Sequence, residues 1–553
     1  MLSSNISSRY KYYLLLLPVI LAAIIYFPCL KNGWWTVDDT IILNLTIENG
    51  WHKFFYKKEV WHQISSTNLT PWINLSYAID WFLFGFNPKG FFYHHYFSFL
   101  LAIFLCELVI YRTLGLATAL ASLLLFVITI PAAMVASFLW LRHYVEGLLF
   151  AALAFLFFLK SYKKKSWYYS LLGAFFYFLA CAAKEIYVPL ILLIVFHPNS
   201  LSRENFRFKS SYLFVALIYI LWRYYMLNFN SLTIYSPNPS FVGSRFFYLL
   251  FYGLYLHNIL SYIVLFLFIL LLIINFLKWS RFLKFYFLIV FIGVLFPITI
   301  ASPFLLQIKN DLASSRILVL FSLFLSCFFS SSFFFNKLPK FASSLLLSLL
   351  LFVNLYVFHS NNPLTFANCL YDKHKKLGTF LLSKTENDVL VAPDLSTYFL
   401  RHLLSLNKKT SLNKKHSPII CSDACLCERY LKNSNINFYF FDGDKIIKQK
   451  SFSCSIKNDL KPSLHIKYDK GRIFWEMGPL KRGKYCILVL EDALPKRRYC
   501  LPYKGSVPFA IYGDILLLVK YISPEGWSAY SDIYHFRFSK SECRLIHKSP
   551  FEF

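Results

Sequence analysis

The chain has 553 residues, of which 57% are hydrophobic and only 15% are charged, and its mean hydropathy is +0.50. Soluble domains carry about 25% charged residues, so this composition excludes an ordinary soluble protein and predicts an integral membrane protein. The net charge of +29 is spread between apolar stretches and is not gathered in one patch. It therefore indicates cytoplasmic loops and attraction to anionic lipid, and it argues against nucleic-acid binding.

Apolar segments predict an all-α polytopic membrane domain over residues 1–359. The segment between Lys11 and Lys31 has no charged residue, which suits a helix that crosses a bilayer with about 20 residues. It lacks a small-residue cleavage site, so a retained helix is favoured over a cleaved signal peptide. We predict about eleven transmembrane helices, near residues 12–30, 92–112, 114–131, 143–160, 167–182, 186–198, 211–228, 258–277, 285–305, 316–335 and 341–358.

Basic clusters between these segments predict the orientation. They lie at Lys160–Lys165, Arg203–Lys209, Lys278–Lys284 and Lys337–Lys340. If all four are cytoplasmic, an even number of helices separates each from the next, as the predicted helices allow. The amino terminus is then cytoplasmic and the carboxy terminus lies outside, which for a bacterial inner membrane protein means the periplasm.

Three outer loops follow from this topology. The first, 31–91, is long and rich in Trp, His and Asn, and its stretch from Trp51 to Ile64 has the spacing of an amphipathic helix lying in the membrane interface. The other two lie near 131–143 and 228–257.

Beyond residue 359 the composition becomes polar, which predicts a separate extracytoplasmic α+β domain over 360–553. A helical stretch at 371–384 precedes short alternating segments. The predicted strands are Val389–Ala392, Asn437–Phe441, Cys486–Leu490 and Ile515–Val519.

This domain is rich in cysteine. Its cysteines are Cys369, Cys421, Cys425, Cys427, Cys454, Cys486, Cys500 and Cys543. An even number in an exported domain favours disulfides. The alternative is a zinc site at Cys421, Cys425 and Cys427, although no matching Cys/His pair stands at zinc-finger spacing.

The first candidate site is the acidic pair Asp38 and Asp39, which follows Trp34 and Trp35 just past the first apolar segment. Two adjacent carboxylates beside an apolar boundary are costly, which favours a function. The alternative is a solvated turn or a helix cap, since Asp caps helices well.

The second candidate is a set of charged residues that the topology places at the outer ends of several helices. These are Arg142, His143, Glu146, Lys184, Glu185, Arg223 and Arg316. Each alone is more often a snorkelling side chain or a structural ion pair. Together they suit transfer from a lipid phosphate, because cations would stabilise the phosphate and a carboxylate would take a proton from the acceptor.

Three stretches of the first loop carry a resemblance to a known family. They are Val37–Asp39, Leu69–Ala78 (Leu-Thr-Pro-Trp-Ile-Asn-Leu-Ser-Tyr-Ala) and Leu83–His95 (Leu-Phe-Gly-Phe-Asn-Pro-Lys-Gly-Phe-Phe-Tyr-His-His). Together they resemble the opening of bacterial GT-C membrane glycosyltransferases, especially those similar to protein O-mannosyltransferases. Weaker matches follow at Arg142, Ala183–Glu185, Arg223 and Ser315–Arg316, so the resemblance covers roughly residues 10–340.

The resemblance implies a GT-C-like fold and a polyprenyl-phosphate-linked sugar as donor substrate. It implies that Asp38 is the catalytic base, that Asp39 is its neighbour, and that the cavity faces the periplasm. Two departures stand out: Thr70-Pro71 replaces the family's frequent Arg-Pro, and no tetratricopeptide repeats follow. The acceptor, an exported glycan, lipid or protein, therefore stays open.

His94 and His95 are secondary site candidates that could help bind a metal or a phosphate, although such histidines more often mark a helix start in the interface. No motif points to a divalent metal. Other functional readings are a transporter or flippase for lipid-linked glycans, a polymerase or ligase of surface polysaccharide, and a membrane scaffold. A transporter would show inverted repeats and charges near mid-membrane, and the sequence displays neither pattern.

Overall fold

The chain folds into two compact units. The first, here the helical unit, comprises Met1–Gly33, Gly50–Trp61 and Ser66–Cys369, and the second, the C-terminal unit, comprises Trp34–Asn49, His62–Ser65 and Leu370–Phe553. The computed structural model describes residues 13–65, 67–197, 203–227, 246–301, 305, 307–309, 311–335, 340–392, 395–410, 418–431, 436–442, 445–469, 472–480, 482–491, 494–508, 513–539 and 542–551.

Apolar helices dominate the helical unit, as the uncharged runs of the sequence predict. Its longer helices are Leu17–Asn32, Trp72–Phe84, Pro88–Leu114, Leu116–Val127, Arg142–Lys164, Trp167–Ala183, Arg203–Leu227, Phe246–Tyr255, Asn258–Lys278, Arg281–Ile300, Val319–Phe335, Lys340–Asn361 and Pro363–Leu382. Shorter α-helices are Lys58–Trp61, Ile130–Ser137 and Leu190–Val195, and 3-10 turns form at Trp51–Phe55, Leu139–Leu141, Glu185–Tyr187 and Leu312–Leu318. Each of the predicted membrane segments thus contains a helix.

Length and composition mark this as a polytopic membrane protein. Among the described residues, seven helices are long and apolar enough to cross a membrane. An eighth candidate is the pair Leu116–Val127 and Ile130–Ser137, which is bent by 68° at the break between its two halves. Four further apolar helices, such as Leu17–Lys31 and Trp167–Ala183, are shorter.

The predicted first outer loop is largely helical. The stretch predicted as one interfacial helix forms the 3-10 turn Trp51–Phe55 and the short helix Lys58–Trp61. The helix Trp72–Phe84 follows, and its only charged residue is Asp80. Residues 228–245, which hold most of the predicted third outer loop, lie outside the described residues.

The C-terminal unit is an α+β structure, as predicted. Its sheets have the strand orders β2-β1-β3-β4, β12-β11-β10-β7-β8 and β5-β6-β9. The strands are β1 Asp388–Val391, β2 Ile419–Cys421, β3 Asn437–Phe441, β4 Ile446–Gln449, β5 Ser463–Asp469, β6 Arg472–Gly478, β7 Lys484–Glu491, β8 Leu494–Leu501, β9 Lys504–Pro508, β10 Gly513–Ile522, β11 Ser528–Phe538 and β12 Cys543–Ser549. All four predicted strands are present, and the helices Leu395–Thr410 and Ala424–Leu431 accompany the first sheet.

The C-terminal unit contains two kinds of strand pairing. In the first sheet, β1 pairs in parallel with β2 and with β3, and helices connect these strands, as parallel pairing requires. The larger second sheet is antiparallel, and Leu517, Val519, Tyr534 and Phe536 belong to its core cluster. Disulfides join Cys421 to Cys427, Cys425 to Cys454 and Cys486 to Cys500, whereas Cys369 and Cys543 are not disulfide-bonded.

One segment of the amino-terminal part groups with the C-terminal unit. Trp34–Asn49 follows the first apolar helix in sequence and contains the helix Val37–Asn49, which packs along Leu395–Thr410. The acidic pair therefore belongs to the C-terminal unit. A division at residues 359 and 360 into independently folding domains stays a prediction.

Candidate functional site

Arg142 is the centre of a charged group inside the helical unit. It is the first residue of the helix Arg142–Lys164, and its side chain is 0% exposed. Its Nη1 lies 2.5 Å from Asp80 Oδ2 and donates to Ser76 Oγ at 3.0 Å, while Nη2 donates to the Phe91 carbonyl at 2.9 Å. The guanidinium also stacks over the Tyr77 ring, 4.8 Å from its centroid. A carboxylate, a hydroxyl and a backbone carbonyl thus bind the terminal nitrogens of Arg142 within the protein, and the carboxylate balances its buried charge.

Glu146 and His94 complete this group, which we call the buried charge cluster (Asp80, His94, Arg142 and Glu146). Glu146 follows Arg142 by one helical turn and accepts hydrogen bonds from Trp72 Nε1 at 2.6 Å and Ser76 Oγ at 2.7 Å. His94 Nδ1 lies 2.7 Å from Asp80 Oδ1, and its Nε2 lies 3.7 Å from Glu146 Oε1. Three helices, Trp72–Phe84, Pro88–Leu114 and Arg142–Lys164, supply these side chains.

Within the buried charge cluster, the Asp80 carboxylate orients the imidazole ring of His94. A buried carboxylate that hydrogen-bonds one ring nitrogen fixes the tautomer and direction of a histidine, and leaves the other nitrogen for proton exchange. The His94 side chain is 34% exposed, whereas those of Asp80 and Arg142 are 1% and 0% exposed. His94 is therefore the member of the cluster that can meet solvent or a substrate.

Sequence reasoning found three of these four residues and missed Asp80. The signal was a single carboxylate in the otherwise uncharged stretch Trp72–Phe84. A lone charge among apolar residues of a membrane protein is a site candidate by default. Its partner Arg142 lies 62 positions further along, a pairing that spacing alone does not reveal.

A second group, which we call the cationic cluster, consists of Lys184 and Arg316 near His143, and each of the two cations lies over an aromatic ring. Lys184 Nζ lies 4.9 Å from the centroid of Tyr144, and Arg316 Cζ lies 4.9 Å from the centroid of Trp140. The buried His143 ring lies beside Tyr144, and the charges of both Lys184 and Arg316 act on it. Positive charge gathered in this way favours an anion such as a phosphate.

Glu185 and Arg223 form an ion pair that also holds a segment of the predicted first loop. Arg223 Nε donates to Glu185 Oε1 at 2.7 Å, and each side chain is 21% exposed. Glu185 also accepts from the Leu69 backbone N–H at 2.9 Å, and Arg223 Nη2 donates to the Thr67 carbonyl at 3.1 Å. The pair thus fixes the chain just before the helix Trp72–Phe84.

His95 is placed differently from His94. It is 1% exposed and lies next to the backbone of Val135 and Ala136. Successive residues of a helix point in directions about 100° apart, so the two histidines serve different surroundings. Among the described residues, no group of three or more His, Cys, Asp or Glu side chains could hold a metal ion.

The acidic pair has two distinct environments within the C-terminal unit. Asp39 is buried, and its Oδ2 accepts hydrogen bonds at 2.7 Å from both the backbone N–H and the hydroxyl of Thr36. This is one half of a capping box, in which the side chain of the third helical residue reaches back to the backbone N–H of the residue that precedes the helix. Asp38, one position earlier, is exposed.

Comparison with known proteins gives little further information. No protein-family model matches the sequence, and no curated protein matches it. The chain is similar to the crystal structure of ArnT from Cupriavidus metallidurans bound to undecaprenyl phosphate, with 13% sequence identity and a TM-score of 0.40. The match covers 77% of this chain and 93% of that one, and it is too distant to assign a function.

Proposed function

We propose that this integral membrane protein is a glycosyltransferase that moves a sugar from a polyprenyl-phosphate donor to an exported glycan, lipid or protein. The cationic cluster is the observation that carries the proposal. Lys184 lies over Tyr144 and Arg316 over Trp140, and both charges act on His143, so one part of the helical unit concentrates positive charge. Such an area suits an anionic lipid headgroup, and the donor phosphate is one.

Within this proposal, Arg142 has a supporting role. Asp80, Ser76 and the Phe91 carbonyl occupy its terminal nitrogens, so binding a phosphate would first require breaking a fully buried ion pair. We therefore assign the donor phosphate to Lys184 and Arg316. The Glu185–Arg223 pair holds the segment before Trp72 in place, and His94 and Glu146 line the site beside Arg142.

Asp38 is the proposed base. The sequence resemblance supports this assignment, and so does the difference between the two carboxylates: Asp39 caps its helix, whereas Asp38 is exposed. The acceptor hydroxyl attacks C1 of the sugar as Asp38 takes its proton, and the bond from C1 to the phosphate oxygen breaks. Polyprenyl phosphate leaves with the bonding pair, and the anomeric centre inverts. A positioned base contributes about 10²–10⁴-fold to such a step.

The proposed topology has about eleven crossings, which counts shorter apolar helices such as Leu17–Lys31 and Trp167–Ala183 in addition to the seven long ones and the bent pair. Basic residues at the ends of several helices, such as Lys163 and Lys164, support a cytoplasmic amino terminus. The cationic cluster and the C-terminal unit then face the outside of a bacterial inner membrane. Lipid-linked donors are consumed on that side in this proposal.

The test is mass spectrometry of surface glycans and lipids from cells that carry wild-type protein, Asp38→Asn, or a deletion. Asp459→Asn is the matched control, because Asp459 is an exposed carboxylate of the same unit. Blotting must show equal protein levels. We expect Asp38→Asn and the deletion to lack the same one-sugar increment, and Asp459→Asn to retain it.

Two outcomes would count against the proposal. If Asp38→Asn is indistinguishable from wild type while the deletion loses or shortens whole glycans, transport or polymerisation becomes the better reading. If the deletion changes no glycan or lipid, the protein is not a transferase for any abundant surface acceptor. The mass of the missing increment, where there is one, identifies the class of sugar.

A further inference from the structure

The helix that carries Asp38 is built into the C-terminal unit. Val37–Asn49 groups with residues from 370 onward and packs along the helix Leu395–Thr410. The chain thus contributes a short amino-terminal helix to a unit that is formed mainly by residues more than three hundred positions later in sequence. Contacts at several points along this helix show how it is held.

Polar contacts hold its carboxy-terminal half. Lys409 Nζ donates to Asn44 Oδ1 at 2.9 Å and lies 3.1 Å from Glu48 Oε1. Asn44 Nδ2 donates to the same Glu48 oxygen at 2.8 Å, so the three side chains form a closed network. Asn44 is only 4% exposed, which makes this network more than a solvated surface pair.

A close approach holds the segment before the helix. Gly378 lies where a Cβ atom would come within 2.9 Å of Leu403 Cδ2 and 3.2 Å of Trp34 Nε1. A side chain at position 378 would therefore crowd both Trp34 and Leu403, so the glycine lets the two side chains approach this helix closely. Gly378 belongs to the helix Pro363–Leu382 and Leu403 to the helix Leu395–Thr410. Trp34 therefore packs close to both of these helices.

The amino-terminal turn is fixed by its own cap. Asp39 binds the backbone and hydroxyl of Thr36, which defines where the helix begins. Asp38 follows the cap and is exposed, while Thr40 and Leu43 on other faces are buried. With its start bonded to Thr36 and its far end bound to Lys409, the helix that carries Asp38 is held at both ends.

We infer that the C-terminal unit is the support that orients the helix bearing Asp38, with Lys409 and Gly378 as positioning residues. This inference rests on the proposed function, in which Asp38 is the base. In this inference, the part of the C-terminal unit that begins at Leu370 contributes to catalysis by holding the helix of Asp38, and it does not itself contact the substrate. A helix loosened from its support would keep the carboxylate but lose its alignment, and misalignment of a base lowers the rate of the chemical step.

The test uses the full-length protein in detergent or nanodiscs. Hydrogen–deuterium exchange of residues 37–49 measures the support directly, and the rate of sugar transfer measures its consequence. The variants are Lys409→Glu, Glu48→Lys and the double exchange, which restores an opposite-charge pair. Lys408→Glu is the matched control, because Lys408 is the exposed neighbour on the same helix.

Each single reversal should make residues 37–49 exchange roughly two- to five-fold faster, since it replaces attraction by repulsion. Transfer should slow by a similar factor through kcat, with little change in KM for the donor. The double variant should recover both readouts, and Lys408→Glu should match wild type. Gly378→Val, which forces Trp34 away, should give a larger loss of both.

The two hypotheses fail in different ways. If Lys409→Glu and Gly378→Val leave the exchange of residues 37–49 unchanged, the support does not exist and the inference is overturned. If exchange rises while transfer stays at the wild-type rate, the positioning role is overturned. If Asp38→Asn transfers sugar normally, the proposed function fails, and the exchange data still decide whether the tail holds this helix.

Discussion

The helical unit and the C-terminal unit each contain a close arginine–carboxylate pair, and the two pairs differ in exposure. Arg142 and Asp80 are 0% and 1% exposed in the helical unit. Arg401 and Glu491 are 30% and 37% exposed in the C-terminal unit, where the guanidinium binds both carboxylate oxygens. Water can replace either partner of the second pair but neither partner of the first. The same residue types should therefore have very different costs of removal.

The helical unit also contains a second contrast, between Arg142 and the cationic cluster. Arg142 is neutralised by a carboxylate inside the protein, whereas Lys184 and Arg316 rest on aromatic faces. A cation whose charge is already balanced supports the structure. Lys184 and Arg316 are the cations to which we assign the donor phosphate, and their contacts with the rings of Tyr144 and Trp140 hold them in place. Removing the first should damage folding, and removing the second should damage function.

The largest expected effect is on folding, from Arg142→Met. It leaves Asp80 buried without its counter-charge, which typically costs about 3–5 kcal/mol. We expect little monodisperse protein in size-exclusion chromatography and a much lower unfolding temperature. Arg112→Met is the control, because Arg112 is exposed at the end of its helix.

The double variant Arg142→Met, Asp80→Leu sharpens this prediction. Removing both charges abolishes the uncompensated carboxylate, so the yield should exceed that of Arg142→Met alone. Equal yields of Arg142→Met and wild type would show that the pair does not stabilise the helical unit, and would reopen Arg142 as a phosphate ligand.

An intermediate effect, on activity alone, is expected from Lys184→Met and Arg316→Met. Losing one preorganised cation from a phosphate site typically costs about 10²-fold or more in kcat, while the unfolding temperature should stay close to wild type. The measurement is sugar transfer from a polyprenyl-phosphate donor by purified protein. Lys160→Met is a matched control, because Lys160 also lies over an aromatic ring, 4.2 Å from the centroid of Tyr169. A loss of activity in Lys160→Met equal to that in Lys184→Met would show that the effect is not specific to the cationic cluster.

The sequence predicts the helices well because a bilayer demands long uncharged runs, and such runs are visible without any knowledge of packing. The predicted strand Asn437–Phe441 agrees with β3 residue by residue for a similar reason, since β-prone residues between turns have few other solutions. Pairings between distant residues are different. Nothing in the local sequence shows that Arg142 meets Asp80, or that Trp34–Asn49 joins a unit formed by the tail.

The candidate site illustrates the same limit. Charges in apolar surroundings pointed to Glu146, Lys184 and Arg316 but did not say which were already neutralised. That distinction depends on partners tens of residues away, such as Ser76 for Glu146. The acidic pair shows the same limit within one turn of helix. The sequence contains the spacing that lets Asp39 bond to Thr36, but it is equally consistent with a catalytic role for both carboxylates.

The smallest expected effect is from Arg401→Gln, the exposed member of the opening comparison. Exposed ion pairs contribute about 0.2–1 kcal/mol, so the exchange of residues 395–410 and 484–491 should rise only slightly at pH 7.

Burial raises the pKa of Glu491, but hydrogen bonds and charge from Arg401, together with the charge of Arg497, outweigh it and hold that pKa below its ordinary value. A depressed carboxylate pKa stabilises the folded state above the unfolded pKa of about 4.3, and this stabilisation is lost as the pH falls through the folded pKa. The difference in exchange between Arg401→Gln and wild type should therefore stay constant from pH 7 to about pH 5 and shrink as the pH falls below the unfolded pKa of about 4.3. It should also shrink at high salt. A difference as large as that of Arg142→Met, or one that grows in acid, would mean that the Arg401–Glu491 pair behaves as a buried pair and that exposure does not separate the two units.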